Sequence, residues 1–469
     1  MLTLPGSSGK KVLMTRNIVL IGSDSIRADH CSCYGYGRKT TPFLDGLAEG
    51  GVRFENPIVS GIATLNSFIG IFTGAYSPLE TDPFHPERWK GILNQRKTLA
   101  SVLSRKGYHT YGFNINPLLS RYYGFSKGFQ HYYDGLWTER EKDKEEKDQG
   151  RETKKFYLTP ASTRKGLGKQ LSRLRQFLKA DIGYPRTEEW IDEIFNTRLE
   201  EPYFLWVFLI DTHHPYVPPQ EYDRWGKTGT RRRLWLDYKM RRFGRGEAPP
   251  RRNSWTMLRR GLQPKLSQKE HEAVVAGYDG EILHVDSIVK QLWEHLKDTN
   301  PALIFHSDHG DELGEHGFYG HHHRHYEGLI RVPLIVYNVG RKGVVEEPVS
   351  LLRLAPTIGK LAGIENEFES PGLFDDVPYS PPVVYNKLRN INEPRVTARD
   401  KEWKLITNPD REDELYHIKE DPLEKENLIG KERDVEKELR ELIGHQRKLM
   451  GEREGLRKKI QTLKDLKKI

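Results

Sequence analysis

Two apolar runs in this chain each end on an acidic turn. One is Asn17-Ile-Val-Leu-Ile-Gly-Ser-Asp24, near the start; the other, far along the chain, is Leu303-Ile-Phe-His-Ser-Asp308-His309. A hard divalent cation takes oxygen ligands, with an imidazole sometimes among them. Asp24, Asp308 and His309 offer two carboxylates and one imidazole. If they meet, the chemistry open to them is Lewis-acid work: polarising a substrate oxygen and activating a hydroxyl. Taken singly, either turn reads equally well as a helix cap.

The elements that would bring them together are strands. Both runs read as buried parallel strands, and in open α/β sheets ligands sit beyond the carboxyl ends of the strands. A third run, Tyr203 to Ile210, enters Asp211-Thr-His213-His-Pro215 in the same way. Helical spacing marks 43–50, 67–73, 98–105 and 271–296, and short strands are expected at 52–54 and 108–113. Strands alternating with helices predict an α/β fold with a parallel sheet covered on both faces. Beyond about residue 345 the texture changes. A helix over 351–361 and a Pro/Gly-rich link at 370–382 precede short strand-like pieces at 395–398, 403–407 and 414–418, a small antiparallel α+β unit. Residues 431–469 form a basic amphipathic helical tail with a broken heptad pattern, which suits packing on its own domain as well as a homo-oligomer coiled coil.

Composition bounds the partners. The chain has 469 residues and a net charge of +9. No run approaches the ~18 apolar residues of a membrane helix, and residues 1–16 read as a disordered lead rather than a signal peptide. The two cysteines, Cys31 and Cys33, cannot build a disulfide framework, so the expected compartment is cytoplasmic. Charged insertions are expected at about 138–180 and 223–265. Within the second, residues 224–260 are dense in Lys and Arg against two acids, Asp237 and Glu247, with Trp225, Trp235, Tyr238, Phe243 and Trp255 interleaved. Such a stretch suits an anionic polymer or lipid headgroup. The plainer reading is a solvated surface insertion, and no specific nucleic-acid motif accompanies it.

The sequence between the two acidic turns carries more. It runs Asp24-Ser-Ile-Arg-Ala-Asp-His30, Thr41-Pro-Phe-Leu-Asp45, Gly51-Val-Arg-Phe54 and Phe72-Thr-Gly74, then Asp211-Thr-His-His-Pro-Tyr-Val-Pro-Pro219 and Tyr278-Asp-Gly-Glu281. Ser307-Asp-His-Gly310, Gly314-Glu-His-Gly317, Arg331-Val-Pro-Leu-Ile335 and Leu354-Ala-Pro-Thr357 follow. In this order, over roughly residues 17–430, the chain closely resembles the sulfatase family of the alkaline phosphatase superfamily. The resemblance implies a large sandwich domain at 17–345, with a mostly parallel sheet flanked by helices, and a small C-terminal sheet domain at 346–430. It also implies hydrolysis of a sulfate or phosphate ester around one divalent metal (Ca, Mg, Mn or Zn) held by Asp24, Asp308 and His309.

Where the chain departs from the family's pattern, the chemistry shifts. The family's first Asp-Asp pair is Asp24-Ser25. The family's nucleophile opens a Cys-x-Pro-x-Arg motif; the matching segment is Thr64-Leu-Asn-Ser-Phe68. Sulfatases oxidise that cysteine, or a serine, to formylglycine, and no formylglycine is expected from a threonine. A Thr64 hydroxyl that is itself a metal ligand could attack directly, as in phosphoryl-transferring relatives; the plainer alternative is an N-cap for a helix starting at Ser67. The family's Gly-Lys-Trp-His segment falls on Asn114-Ile-Asn-Pro117, and another family lysine falls on His321. His213 matches the family's substrate-facing histidine.

The expected mechanism is in-line attack by Thr64, with His213 or a member of the run His321-His-His323 protonating the leaving alcohol. Asn114, Asn116, His321 and His323 are candidate donors to an anionic substrate. The lost lysines and Thr64 favour a phosphoester. The alternatives are transfer of a phospho-substituent to a glycan or lipid alcohol, and a catalytically decayed anion-binding protein.

Overall fold

Ile18–Ser23 carries no charged side chain and forms the central strand, β1, of an eight-stranded sheet. The computed structural model describes residues 16–78, 85–135, 184–243, 266–321, 323–387 and 393–466. The expected lead up to residue 15, the insertion at 138–180, the part of the basic stretch beyond Phe243, His322 and the last three residues lie outside the described residues.

The other strands of the sheet are β2 (Val52–Phe54), β3 (His109–Phe113), β4 (His131–Tyr133), β5 (Tyr203–Leu209), β6 (Ala302–Ser307), β7 (Leu334–Tyr337) and β8 (Gly343–Val345). They lie in the order β8-β2-β7-β6-β1-β5-β3-β4. β1 pairs in parallel with β5 on one side and β6 on the other, so Ser23, Leu209 and Ser307 lie abreast at the carboxyl edge. The sheet is mostly parallel; the exception is β7, antiparallel to both β6 and β2.

Strand periodicity divides these residues between two cores. Ile18, Leu20, Phe204, Trp206, Phe208 and Ile304 face one layer; Val19, Ile21, Leu205, Val207, Leu303 and Phe305 face the other. The first face is covered by α2 (Thr64–Thr73), α4 (Leu99–Arg105) and α7 (Leu354–Leu361), with α3 (Pro86–Gln95) at its margin. The second is covered by α1 (Pro42–Gly50), α5 (Thr230–Phe243) and the 29-residue α6 (Gln268–Leu296). Asp286 of α6 accepts the first free N–H groups of α1, from Phe43 and Leu44 (2.9 and 2.8 Å), and fixes these two helices end to side.

α5 corrects the reading of a merely solvated insertion. Leu234, Leu236 and Met240 are buried, and Arg233 is a buried ion-pair partner of Asp223 at 2.6 Å, so the described part of the basic stretch is a docked helix. The C-terminal unit is an antiparallel meander of β9 (Val383–Asn386), β10 (Arg395–Arg399), β11 (Trp403–Thr407) and β12 (Glu414–His417). β9 follows directly on the proline-rich link, which hides it from a reading of pattern. The tail is one helix, α8 (Arg433–Leu466), and Leu439 and Ile443 bury against that meander.

All ten residues of α2 are buried. Phe68, where the resemblance would put an arginine, packs edge-on to Phe72, Phe125, Trp206 and Phe208 at ring separations of 4.9–6.4 Å. Phe68→Ala opens a cavity there and should cost about 3–5 kcal/mol, read as a lower urea midpoint.

Candidate functional site

The ends of β1, β5 and β6 are knotted together by short polar side chains. The Ser307 hydroxyl donates to the Ser23 carbonyl (2.8 Å) and accepts the Ile26 N–H (2.8 Å). Thr212, just past β5, donates to the Asp24 carbonyl, and its hydroxyl lies 3.1 Å from that of Ser23. The Asp24 N–H donates to Leu209 and the Asp308 N–H to Ser23 (2.9 and 3.1 Å). Each bond satisfies a backbone group that leaves the ladder at a strand end.

The knot delivers Asp24, Asp308 and His309 to one point, all three fully buried. His309 Nε2 is 3.9 Å from Asp24 Oδ1 and 3.6 Å from Asp308 Oδ2. Burial and the neighbouring Asp24 charge both push the Asp308 carboxyl well above the usual carboxylate range. Asp308 Oδ1 accepts the N–H groups of Ser25 (3.2 Å) and His309 (2.9 Å), while the buried Oδ2 has no hydrogen-bond partner among the described residues. An orphaned buried carboxylate oxygen beside a second carboxylate and an imidazole fits a divalent cation.

Ser25, where the resemblance would put a second aspartate, has a positive φ of 56°. Its hydroxyl donates to Asp24 Oδ1 at 2.6 Å and so steers the ligand. Asn116 reaches Asp24 Oδ2 with its amide at 3.4 Å, while its own Oδ1 caps Leu118 N–H. Asn114 is turned elsewhere: its amide meets the Tyr132 hydroxyl at 3.1 Å.

Thr64 is the first residue of α2, and its Oγ1 lies 3.5 Å from His309 Nε2. The helix therefore begins three residues earlier than the sequence pattern suggests. Ala63, not Thr64, holds the cap position, with φ of 78° and no capping side chain. The N-cap alternative for Thr64 is thereby corrected, and its hydroxyl faces the carboxylates from a helix N-terminus, where anions are favoured. A non-glycine residue held at positive φ beside these buried groups is backbone strain kept at a candidate site.

Three histidines stand over the centre. His321 lies 4.5 Å from His309 between ring centroids and stacks on His214 at 5.8 Å, and His213 is 5.7 Å from His321. His321 Nδ1 is hydrogen-bonded to Asp311 Oδ1 at 2.9 Å. Burial pushes the Asp311 carboxyl up, but the His321 hydrogen bond and charge outweigh it and hold the carboxyl below its ordinary value. The carboxylate thus fixes Nδ1 as the donor and leaves Nε2 for other work. The His323 carbonyl is held by Arg395 of the C-terminal sheet. Asp311 escapes notice in the sequence, although it stands two residues after His309 in the same turn.

Behind the His213 loop sits a second buried cluster that the sequence reading missed, because its members come from three distant segments. Thr187 caps both oxygens of Asp211. Arg186 pairs with Glu281 at 3.2 Å, and His284 joins Glu188, with Glu281 and Asp211 at 3.8 and 4.0 Å. The Tyr184 hydroxyl donates to the His213 carbonyl at 2.6 Å, which ties the cluster to the site wall.

Comparison with known proteins places the geometry. The sulfatase family model matches residues 16–364. The chain is 26% identical to an arylsulfatase of Clostridium perfringens over 93% of its own length and 94% of the relative's. Its fold is similar to that of BT4656, solved with its substrate D-glucosamine-2-N,6-O-disulfate (19% identity, TM-score 0.63, 92% and 98% of the two chains). It is also similar to the phosphonate monoester hydrolase of Agrobacterium radiobacter (18% identity, TM-score 0.60, 93% and 95%).

The His284 cluster makes stability depend on pH. Burial pushes the imidazole down, but the hydrogen bond to Glu188 and the charges of Asp211 and Glu281 outweigh it and raise its pKa from 6.5 to about 9. A raised folded-state value stabilises fully below the unfolded value and fades as pH rises through the folded one. The urea midpoint should fall between pH 6.5 and about 9 in the native chain, and His284→Gln should start lower and flatten that slope.

Proposed function

The chain belongs to the sulfatase family, and on that premise we propose that Thr64 is its nucleophile and that its preferred substrate is a singly charged phosphoester, a phosphodiester or phosphonate monoester, rather than a sulfate ester. The family acts on sulfuric or phosphoric esters. What carries the finer reading is the position of the Thr64 hydroxyl, 3.5 Å from His309 Nε2 at the start of α2. A divalent cation (Ca, Mg, Mn or Zn) held by Asp24, Asp308, His309 and Thr64 Oγ would supply Lewis-acid charge and lower the hydroxyl pKa.

The chain's own groups then do the rest. Thr64 Oγ gives its proton up to bulk water and attacks phosphorus in line, and a phosphothreonine forms. The bond to the leaving alcohol breaks, and the alcohol oxygen takes its proton from His321 Nε2. In the second half a water attacks the phosphorus of that ester and passes its proton to His321; the bond between phosphorus and Thr64 Oγ breaks, and that oxygen takes a proton back from bulk water to restore the hydroxyl. Asp311 keeps His321 oriented through both halves. His213 lines the leaving-group side beside it.

Chemistry supports phosphorus over sulfur. A formylglycine hydrate can expel sulfate by collapsing to the aldehyde, whereas a threonine ester must be opened by water at the central atom. The missing lysines and the phenylalanine at position 68 leave fewer cations for a doubly charged phosphate monoester, so among phosphoesters a singly charged one fits better. One similar structure is a phosphonate monoester hydrolase, which supports the same class. Against a panel of 4-nitrophenyl esters with each metal added, the chain should turn over the phosphodiester or phenylphosphonate best. Thr64→Ala should lower kcat by about a thousandfold or more with the urea midpoint unchanged. A robust aryl-sulfate preference, or full activity of the variant, contradicts the reading.

Helix α5 supports an anionic polymer as the carrier of that ester. Asp237 on α5 lies 3.8 Å from His214, so the helix borders the histidine group. Its outer face exposes Arg231, Arg232 and Trp235, with Trp235 stacked on Tyr238 at 5.5 Å. Guanidinium groups and an aromatic platform together suit a charged sugar chain. Replacing Arg231, Arg232 and Trp235 by alanine should weaken salt-dependent retention on heparin while leaving 4-nitrophenyl ester turnover intact. Equal retention would reduce the helix face to decoration, and tighter loss on RNA or anionic vesicles would name a different carrier.

A further inference from the structure

The far end of α2 opens on a cavity that the ester site does not use. A helix of ten residues spans about 15 Å, so Gly74 and Tyr76, at the floor of this cavity, are well removed from Thr64 at the other end of the helix. The walls come from three parts of the fold: the end of α2, the link before β9, and α8 from Gln446 to Arg453. The volume is about 500 Å³, within the range of sites for small organic molecules.

Its lining has two halves. One is apolar and ring-rich, from Tyr385, Pro378, Pro382, Leu449 and Met450. The other is cationic, with Arg96, Arg353, Arg447 and Arg453 against Glu369 and Glu393. The cations are not equally occupied. Arg96 spends its guanidinium on the carbonyls of Ala75 and Tyr76 at the end of α2 (3.2 and 2.8 Å). Arg453 is paired with Glu369 at 3.0 Å. Arg447 reaches the Pro394 carbonyl and the Thr407 hydroxyl and stands 3.7 Å from Glu393, yet its buried Nε has no partner among the described residues.

Arg353 has no hydrogen bond or ion pair from its guanidinium among the described residues, although it is half-buried. Burial lowers its pKa, and only the more distant Asp375 and Tyr379 oppose that. A half-buried guanidinium with no anion at hydrogen-bond distance is free to gain one from a ligand. A guanidinium in the lining of a cavity is matched by a carboxylate, sulfonate or phosphate.

We propose that this cavity binds a small organic anion, an apolar or aromatic body carrying one anionic group that pairs with Arg353 while its body lies against Tyr385, Leu449 and Met450. The site is separate from the ester chemistry and stands whether or not Thr64 is the nucleophile.

The probe is 8-anilinonaphthalene-1-sulfonate, an aromatic sulfonate, titrated by fluorescence into the full chain. One saturable site is expected. Arg353→Met should weaken it by about tenfold or more, as for loss of a charge-assisted hydrogen bond. The uncharged N-phenyl-1-naphthylamine should bind the native chain and Arg353→Met alike. Leu449→Trp, which fills the apolar half, should abolish binding of both probes without changing 4-nitrophenyl ester turnover. Absence of saturable binding in the native chain, or equal sulfonate affinity in the native chain and Arg353→Met, overturns the proposal.

Discussion

Repulsion between two buried carboxylates, Asp24 and Asp308, is the constraint on which the rest of the site depends. Charges of one sign brought together out of water drive each other toward protonation, and Asp308 is pushed strongly that way. Holding both there needs a rigid frame. Three neighbouring parallel strands provide it, with Ser23, Thr212 and Ser307 fastening the strand ends to each other rather than to solvent. The oxygens of the two carboxylates and the nitrogen of His309 then lie within 4.8 Å of one another. A site so loaded with negative charge is stabilised by a cation and by substrate chemistry that uses one.

Around this centre the chain has exchanged polar ligands for packing and steering. A second aspartate after Asp24 would add another charge to the repulsion; Ser25 gives instead a short hydrogen bond that orients the first one. The residue four beyond Thr64 is a phenylalanine locked among aromatic rings, so α2 is anchored by its buried face and holds the Thr64 hydroxyl by rigidity. On the proposed mechanism, His321 puts a group that gives and takes a proton where the resemblance would put a lysine, and Asp311 hydrogen-bonds its Nδ1. On the proposed mechanism, these exchanges favour proton management at an attacking hydroxyl over holding a sulfate by cations.

Much of this was legible before the fold. The strands were readable because Ile18–Ser23, Tyr203–Leu209 and Ala302–Ser307 are buried on both faces, and such strands appear as continuous apolar runs. Asp24, Asp308 and His309 followed from where those runs end. The start of α2 is hidden because Thr64-Leu-Asn carries no capping signal, and the chain enters the helix through Ala63 at positive φ. Helix α5 was obscured by its arginines, whose charge masks the buried Leu234, Leu236 and Met240. The Glu188, Asp211 and His284 cluster was invisible, since only tertiary folding brings its three segments together.

The nucleophile is the claim that decides most of the rest, and it leaves a chemical trace. Acid quench of the metal-loaded chain during turnover of a phosphodiester, followed by peptide mapping in a mass spectrometer, reads that trace directly. A phosphoryl adduct on Thr64, over an otherwise unmodified threonine, is the predicted result. An adduct on another side chain, or turnover with Thr64 never labelled under conditions that trap the intermediate, would contradict it.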